Sequence, residues 1–366
     1  MRIVSIARGL EDYIIELVNS LCAHVEVCSI LSSKDEWVCD RLDPAIQTFK
    51  SRAPKVGSPA NLMALMRMAR HIKRIQPDII HVQSGVIWEL VLKKLFPRIP
   101  LVVTMHDLTK HPSWTEQSLR HKLQQWALDV AIKSADALIV HGESMFKKAE
   151  ECCRAKGLTT QIVSIPHGII TRYGTGVARV NLESPGNVLF FGFINKYKGL
   201  EYLLKAEPLI RKKIPAVNIR IEGATDRKAY YRGLLDPESQ IQMVLKRVDD
   251  HRVSELFRWA DIIVLPYIEA SQSGVLQLAM AFAVPPIVTR VGGLPEVVVN
   301  ENTGLVVAHK DEVALANATI RLLTDVQLRA RVIHGQRAAR EGEFAWTNIA
   351  RQTVDLYRSV LSRASA

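Results

Sequence analysis

The sequence is short of cysteine and has no long apolar run. Its five cysteines, an odd number, form no CxxC pair and no Cys/His cluster, which excludes a disulfide scaffold and a zinc site of ordinary spacing. No apolar stretch approaches the ~20 residues of a membrane-spanning helix. The GxGxxG fingerprint and the Walker A pattern are also missing, which argues against a nicotinamide dehydrogenase and a P-loop kinase.

The composition is that of a folded protein with an excess of basic residues. At roughly 100–200 residues per domain, a chain of 366 residues predicts about two domains. The formal net charge is +11, and residues 51–100 contribute +7 of it, with nine Lys/Arg against two acidic residues. A local basic surface favours an anionic partner, which can be phosphate, an acidic lipid headgroup or nucleic acid. No signal-peptide pattern follows Met1 and Arg2, so we expect a cytoplasmic protein.

Short apolar runs alternate with helical patterns along the whole chain. Runs such as Asp78–Val82 are nearly continuous in β-branched residues, which favours buried parallel strands over half-exposed antiparallel ones. This alternation predicts an α/β fold built of βαβ units. Residues 171–186 are rich in glycine, have no apolar period and are interpreted as a linker. We expect two Rossmann-like, doubly wound domains (1–170 and 187–345) facing a central cleft, and a final helix over 346–366 that crosses back to the first domain.

Three strand ends in the second half carry glycine loops. Open α/β sheets bind ligands beyond the carboxyl ends of their strands, where helix N-termini present free amides. One loop holds Gly192 and Lys198, a second holds Ser273 and Gly274, and a third spans residues 290–296. A glycine lets a ligand approach the backbone, and a lysine offers a positive charge to a phosphate. Each loop alone is also explained as an ordinary turn, but the three together predict a nucleotide-diphosphate site.

Two histidines follow strands in the first half. His106 follows a strand over residues 101–105, where it can hydrogen-bond a sugar hydroxyl, move a proton or be structural. His167 follows a later strand and is interpreted as part of a structural turn.

Six ordered blocks resemble the retaining glycosyltransferases of family four, which have the GT-B fold. The most specific block, 271–301, is similar to a branch of that family found among bacterial polysaccharide-assembly enzymes. The resemblance implies a C-terminal domain that binds a GDP- or UDP-linked hexose and an N-terminal domain that binds a saccharide or lipid-linked saccharide. It implies no metal and no other cofactor. The blocks are Asp78–Val82, Leu101–Asp107, Ser164–Gly168, Val188–Leu200, Ala260–Tyr267 and Gly274–Gly304.

The resemblance also implies roles for single residues. Lys198 matches the lysine that contacts the donor diphosphate, and His106 matches a histidine that contacts the donor sugar near the reacting carbon. Both are therefore expected to be catalytic. Gly9 and Gly192 lie in loops expected near the donor. Backbone amides of a further loop are expected to hold the donor sugar and phosphate, and its residues are Ser273, Gly274, Val275 and Leu276.

One departure from the family removes a positive charge. The family's Gly-Arg pair is Gly192-Phe193 here, so one cationic contact to the diphosphate is missing. Lys196 and Arg290 are candidate replacements.

A second departure concerns two glutamates that the family places eight positions apart. Those positions hold Ala270 and Leu278, neither of which can bind a hydroxyl. Glu269 and Gln277 have the same spacing one position earlier and are candidate donor contacts. The departures support an alternative reading, in which the protein is catalytically impaired and acts as a nucleotide- or carbohydrate-binding subunit.

The segment 61–75 predicts a basic amphipathic helix. Its pattern places Leu62, Leu65, Met66, Ala69 and Ile72 on one face and basic residues largely on the others, among them Arg67, Arg70 and Arg74. Such a helix can rest on the acceptor side, against the anionic inner face of a membrane, or it can be a solvated helix packed on its sheet. Nucleic-acid binding is not expected, because no aromatic-and-basic motif of a known module is present.

No carboxylate pair of the DxD type occupies a position expected to bind a metal. The nearest candidate is Asp249 with Asp250, which is interpreted as the cap of a helix.

Overall fold

The chain folds into two compact α/β units. A computed structural model describes residues 1–7, 11–31, 37–50, 60–83, 88–106, 126, 129–174 and 186–365. Gly9 and most of the expected linker lie outside the described residues. The first unit consists of the described residues up to Gly168 together with those from Phe344 onward, and the second runs from Ile169 to Glu343.

The first unit is built on a seven-stranded sheet in the order β3-β2-β1-β4-β5-β6-β7. Every neighbouring pair is parallel. The strands are β1 (Arg2–Ala7), β2 (Glu26–Leu31), β3 (Gln47–Lys50), β4 (Ile79–Gln83), β5 (Leu101–Met105), β6 (Ala137–Val140) and β7 (Gln161–Ser164). Its helices are α1 (Glu11–Cys22), α2 (Trp37–Asp40), α3 (Ala60–Ile75), α4 (Trp88–Leu95), α5 (Glu143–Ala155) and, from the end of the chain, α13 (Trp346–Ser365).

Both faces of this sheet are covered by helices. Side chains alternate along a strand, so Ile79 packs in one apolar cluster and Ile80 in the other. The first cluster includes Leu17 of α1 and Tyr357 of α13, and the second includes Ile72 of α3. Burial on both sides explains why the strands read as nearly continuous apolar runs.

The second unit has a six-stranded sheet in the order β10-β9-β8-β11-β12-β13, again parallel throughout. The strands are β8 (Asn187–Phe191), β9 (Asn218–Glu222), β10 (Gln242–Val244), β11 (Ile262–Leu265), β12 (Pro286–Thr289) and β13 (Leu305–Val307). The helices are α6 (Leu200–Lys213), α7 (Lys228–Gly233), α8 (Asp250–Trp259), α9 (Gly274–Phe282), α10 (Leu294–Val297), α11 (Glu312–Thr324) and α12 (Val326–Glu341).

These two parallel sheets confirm the predicted α/β class. One of the described strands was not predicted: β3 has the largely polar sequence QTFK and pairs with β2 at the edge of the sheet. Within the described part of the chain, no helix combines the length and the apolar character needed to cross a membrane.

The predicted apolar face of α3 is wrong in part. The sheet buries Leu65 and Ile72 as expected, but their companions are Met68 and Ile75. The expected members Leu62 and Met66 are 62% and 42% exposed. The helix carries two overlapping apolar stripes that share Leu65 and Ile72, and the sheet packs against the stripe that periodicity alone did not select.

Candidate active site

Gly192 stands directly after β8 in a conformation that favours glycine. Its φ is +105°, and its amide donates to the carbonyl oxygen of Glu222 at 3.0 Å. A Cβ added here would lie 2.9 Å from Nζ of Lys198 and 3.0 Å from a methyl group of Val275. The absent side chain therefore leaves room next to the lysine amine.

Lys198 is a buried lysine, only 7% exposed. It ends a short 3-10 turn, Lys196–Lys198, that is followed by Gly199 in the left-handed conformation. Its Nζ lies 5.2 Å from the centre of the Tyr267 ring. No carboxylate among the described residues forms an ion pair with it. Because a buried ammonium without a counter-charge is costly, this position suits an anionic ligand.

The amino end of α9 faces the same loop. Ser273 is the N-cap, and its hydroxyl accepts from the Leu276 amide at 3.2 Å and lies 3.3 Å from the Tyr267 hydroxyl. The Leu276 amide therefore already has an acceptor within the protein. The amides of Gly274 and Val275 belong to the first turn, where a helix supplies no acceptor.

Backbone hydrogen bonds tie the three glycine loops together. The Ile268 amide donates to the Tyr197 carbonyl at 2.7 Å, and the Gly293 amide donates to the Ser271 carbonyl at 3.0 Å. Gly292 packs directly against the carbonyl of Ala270. These loops follow β8, β11 and β12, which are neighbours in the sheet. The structure thus brings the predicted loops to one edge.

The candidate sugar contacts differ in burial. Glu269 is exposed, in the loop after β11. Gln277 is 1% exposed on α9, and its Oε1 has no hydrogen-bond partner among the described residues. A buried amide oxygen without a partner costs about 1–3 kcal/mol. Gln277 is therefore a buried acceptor without a partner among the described residues, whereas Glu269 is exposed on the surface of the same unit.

The candidates for the missing arginine are both on the surface. Lys196 and Arg290 are exposed, and Phe193, which replaces the arginine itself, is 58% exposed. Lys198 is therefore the buried cation of these loops.

In the first unit, His106 belongs to a cluster of aromatic rings. Its ring centre lies 4.7 Å from that of Tyr13, 4.8 Å from that of His141 and 6.1 Å from that of His167. Burial lowers the pKa of His141 to about 3 and that of His167 to about 4. Burial, followed by the neighbouring histidines, also holds the pKa of His106 well below its usual value. All three rings are therefore neutral at pH 7.

Sequence reasoning missed this cluster. His167 does donate to the adjacent Gly168 carbonyl at 2.8 Å, as a structural turn would, but its ring also packs on Tyr13. His141 and Tyr13 were not selected as candidates. The available clue was that His106 and His141 each follow a strand, and β5 and β6 turn out to be neighbours.

A second buried histidine network lies in the same unit. The ring nitrogens of His81 lie 2.6 Å from the Tyr357 hydroxyl and 2.7 Å from the Thr104 hydroxyl. Burial lowers the pKa of His81 to about 3. This neutral histidine joins β4 and β5 to α13.

The exposed face of α3 carries both apolar and basic side chains. Arg67, Arg70 and Arg74 are exposed, as predicted, and Leu62 and Met66 are exposed beside them. The exposed face of α3 therefore has apolar side chains in its first half and basic side chains further along the helix.

Asp249 and Asp250, the carboxylate pair considered for metal binding, lie at the start of α8. Asp249 is at the N-cap of α8, but its side chain makes no capping hydrogen bond, which corrects the expected cap. Asp250 forms an ion pair with Arg172. In the described ranges, no three or more His, Cys, Asp or Glu side chains are arranged to hold a metal ion.

Comparison with known proteins assigns the chain to a class. Residues 7–173 match the family described as "Glycosyltransferase Family 4", and residues 185–325 match the family described as "Glycosyl transferases group 1". Together the two matches span most of the chain. The chain belongs to these glycosyltransferases.

Individual relatives are similar along nearly the whole chain. A D-inositol 3-phosphate glycosyltransferase of Pseudarthrobacter chlorophenolicus is 26% identical over 390 residues, covering 98% of this chain and 91% of that protein. Sucrose-phosphate synthase from Thermosynechococcus elongatus superposes with a TM-score of 0.76 at 22% identity, over 99% of this chain and 100% of that one. Anabaena HepE in complex with UDP gives 0.71 at 17% identity, over 98% and 100%. The fold is GT-B, as the resemblance implied.

Proposed function

We propose that the protein is a retaining, metal-independent glycosyltransferase. It moves a hexose from a nucleotide-diphosphate sugar to a saccharide or lipid-linked saccharide during polysaccharide or glycoconjugate assembly. The observation that carries the proposal is the buried Lys198 amine, which lies next to Gly192 and forms no ion pair with the described residues. A diphosphate supplies the missing negative charge.

The chemistry follows from the charge that develops on the leaving group. As the bond between the anomeric carbon and the phosphate oxygen breaks, Lys198 and the amides of Gly274 and Val275 stabilise the departing diphosphate. The acceptor hydroxyl forms the new bond from the same face of the sugar, and its proton passes to the departing phosphate oxygen. This arrangement needs no metal ion, because the lysine and the helix amides bear the charge.

Both UDP-linked and GDP-linked sugars are candidate hexose donors. Anabaena HepE, which shares the fold, binds UDP, and the family resemblance adds GDP-mannose. Measuring the binding of both classes distinguishes them.

The test replaces Lys198 with Met and measures binding of UDP, GDP, UDP-glucose and GDP-mannose by calorimetry. A charge-assisted hydrogen bond is worth about 1.5–3 kcal/mol, so affinity should fall about 10- to 150-fold. Lys205→Met is the matched control, because Lys205 also lies over a tyrosine ring, at 5.6 Å from the centre of Tyr202, but is exposed. Equal losses in both variants would contradict the assignment.

The alternative of a binding subunit is separated by turnover. A protein that binds a sugar nucleotide but neither hydrolyses it nor transfers its sugar to any saccharide in a panel would fit the catalytically impaired reading. Phe193, Ala270 and Leu278, which replace the family's usual side chains, motivate that outcome.

We also propose that α3 rests on an anionic membrane surface when the acceptor is lipid-linked. The exposed Arg67, Arg70 and Arg74 attract anionic headgroups, and the exposed Leu62 and Met66 lie next to them. Changing the three arginines to Ala should reduce sedimentation with phosphatidylglycerol vesicles, more so at low salt.

The control for vesicle binding removes the same charge elsewhere. Arg351, Arg358 and Arg363 are exposed on α13, and their triple Ala variant should sediment as the wild type does. Equal binding by both triple variants would contradict a role for α3.

A further inference from the structure

The register of the first sheet places two histidines side by side. Met105 at the end of β5 pairs with Val140 at the end of β6, and Val140 pairs with Ser164 at the end of β7. The residues that follow the first two strands are His106 and His141, so both leave the sheet at the same edge. Their contact is a consequence of strand order, not of sequence separation.

The hydrogen bonds of these residues fix where the protons are. A carbonyl oxygen can only accept, so the 2.8 Å contact between Nδ1 of His141 and the Ile165 carbonyl places a proton on that Nδ1. A neutral imidazole has one ring proton, so Nε2 of His141 is an acceptor. It lies 3.2 Å from Nδ1 of His106, which must therefore donate.

One nitrogen of His106 is left for a ligand. Its Nε2 is buried and has no hydrogen-bond partner within the described part of the chain. Since the single proton is on Nδ1, this Nε2 can accept a hydrogen bond but cannot donate one. Phosphate and carbonyl oxygens, which only accept, do not match it, whereas a hydroxyl group does.

We propose that His141 is a positioning residue that fixes the proton of His106 on Nδ1, so that Nε2 of His106 accepts a hydrogen bond from a hydroxyl of the bound hexose. The Ile165 carbonyl, which can only accept, sets the donor-to-acceptor direction of this series of hydrogen bonds. The identity of the hydroxyl rests on the proposed function, but the proton positions do not. His106 is thus a hydroxyl acceptor and not an acid that protonates the leaving group.

The proton positions are tested by NMR on the full chain labelled with 15N-histidine. A long-range 1H–15N correlation spectrum at pH 7.5 distinguishes protonated from bare ring nitrogens, and His106→Gln identifies the signals of His106. The expected result is a proton on Nδ1 and a bare Nε2. A proton on Nε2 of His106 would overturn the proposal, whatever the protein binds.

Two variants of His141 separate positioning from packing. His141→Gln keeps an acceptor near the place of Nε2, whereas His141→Phe keeps the ring that packs on Tyr13 but offers no acceptor. If His141 positions the proton, the Gln variant retains a bare Nε2 on His106 and the Phe variant shows a mixture of both forms. If it only fills space, the Phe variant behaves as wild type and the proposal is wrong.

The ligand is tested by comparing sugar nucleotides with nucleotides. UDP-glucose or GDP-mannose should shift the His106 Nε2 signal, and UDP or GDP should not. In His141→Phe, affinity for the sugar nucleotide should fall about 2- to 10-fold relative to the nucleotide, the worth of one neutral hydrogen bond. Binding of a sugar nucleotide that leaves this signal unchanged would overturn the hydroxyl contact. Failure of every nucleotide and sugar nucleotide to bind would instead contradict the proposed function, and the proton positions would still be decided.

Discussion

Acid should destabilise the first unit well above the pH at which carboxylates titrate. His81 and His141 are almost fully buried, and their pKa values are lowered to about 3 in the folded protein. In the unfolded chain both return to about 6.5. Above pH 6.5 neither state is protonated, so stability is at its full value. Between pH 6.5 and about 3 the unfolded chain binds the extra protons, and stability falls as the pH falls.

The size of the effect follows from those values. Each histidine removes about 1.4 kcal/mol of stability per pH unit in that window. At pH 5 the loss is therefore about 2 kcal/mol for each, or about 4 kcal/mol for the pair, against about 5–15 kcal/mol for a typical domain. His167, with its pKa lowered to about 4, changes stability in the same direction.

Urea unfolding at pH 7.5, 6 and 5 measures this dependence, with calorimetry to count the protons taken up. His81→Gln should lower stability at pH 7.5, because two buried hydroxyl partners lose their imidazole, and should flatten the pH dependence by about one proton. His24→Gln, which changes an exposed histidine of the same unit, is the control. A first unit as stable at pH 5 as at pH 7.5 would show that these histidines are not held neutral, and the reasoning would fail.

Three further outcomes follow from single contacts. Gly192→Ala should cost the second unit about 1–3 kcal/mol in urea unfolding because of the positive φ, and it should weaken nucleotide binding by displacing Lys198; unchanged binding would contradict the proposed site. Asp325→Ala removes the side chain that caps α12 at 2.9 Å, so stability should fall by about 1 kcal/mol while nucleotide affinity stays the same. Tyr357→Phe removes the hydroxyl 2.6 Å from His81 and should cost the first unit about 1–3 kcal/mol, with no change in the unfolding of the second.

Each strand that sequence reasoning found contains at least two apolar residues. Ile79–Gln83 is buried at every position, and Ile79, Ile80 and Val82 give it a clear apolar signal. Gln47–Lys50 is an edge strand with no fully buried residue, and Phe49 is its single apolar residue, so it has no apolar pattern to detect. In α3 two apolar stripes overlap, and only the position of the sheet decides which one is buried.

The candidate residues of the two units were predictable to different degrees. Gly192 and Lys198 lie in one local turn, so their proximity follows from a few residues of sequence. His106 and His141 are 35 positions apart, and their contact exists only because β5 and β6 are adjacent and in register. A buried lysine also reads in sequence like an exposed one, since burial is a property of the packed domain.

The core of the first unit is drawn from both ends of the chain. Leu17 of α1 packs in the same cluster as Ile349, Val354 and Tyr357 of α13, whereas the described residues of the second unit all fall between Ile169 and Glu343. Synthesis proceeds from the N-terminus, and domains fold as units when their residues become available. On the ribosome, α1 alone of these two helices is present on that face of the first sheet while the second unit is made and folds. The first unit is therefore completed last. A chain truncated before α13 would contain every element of the second unit but would lack one core helix of the first.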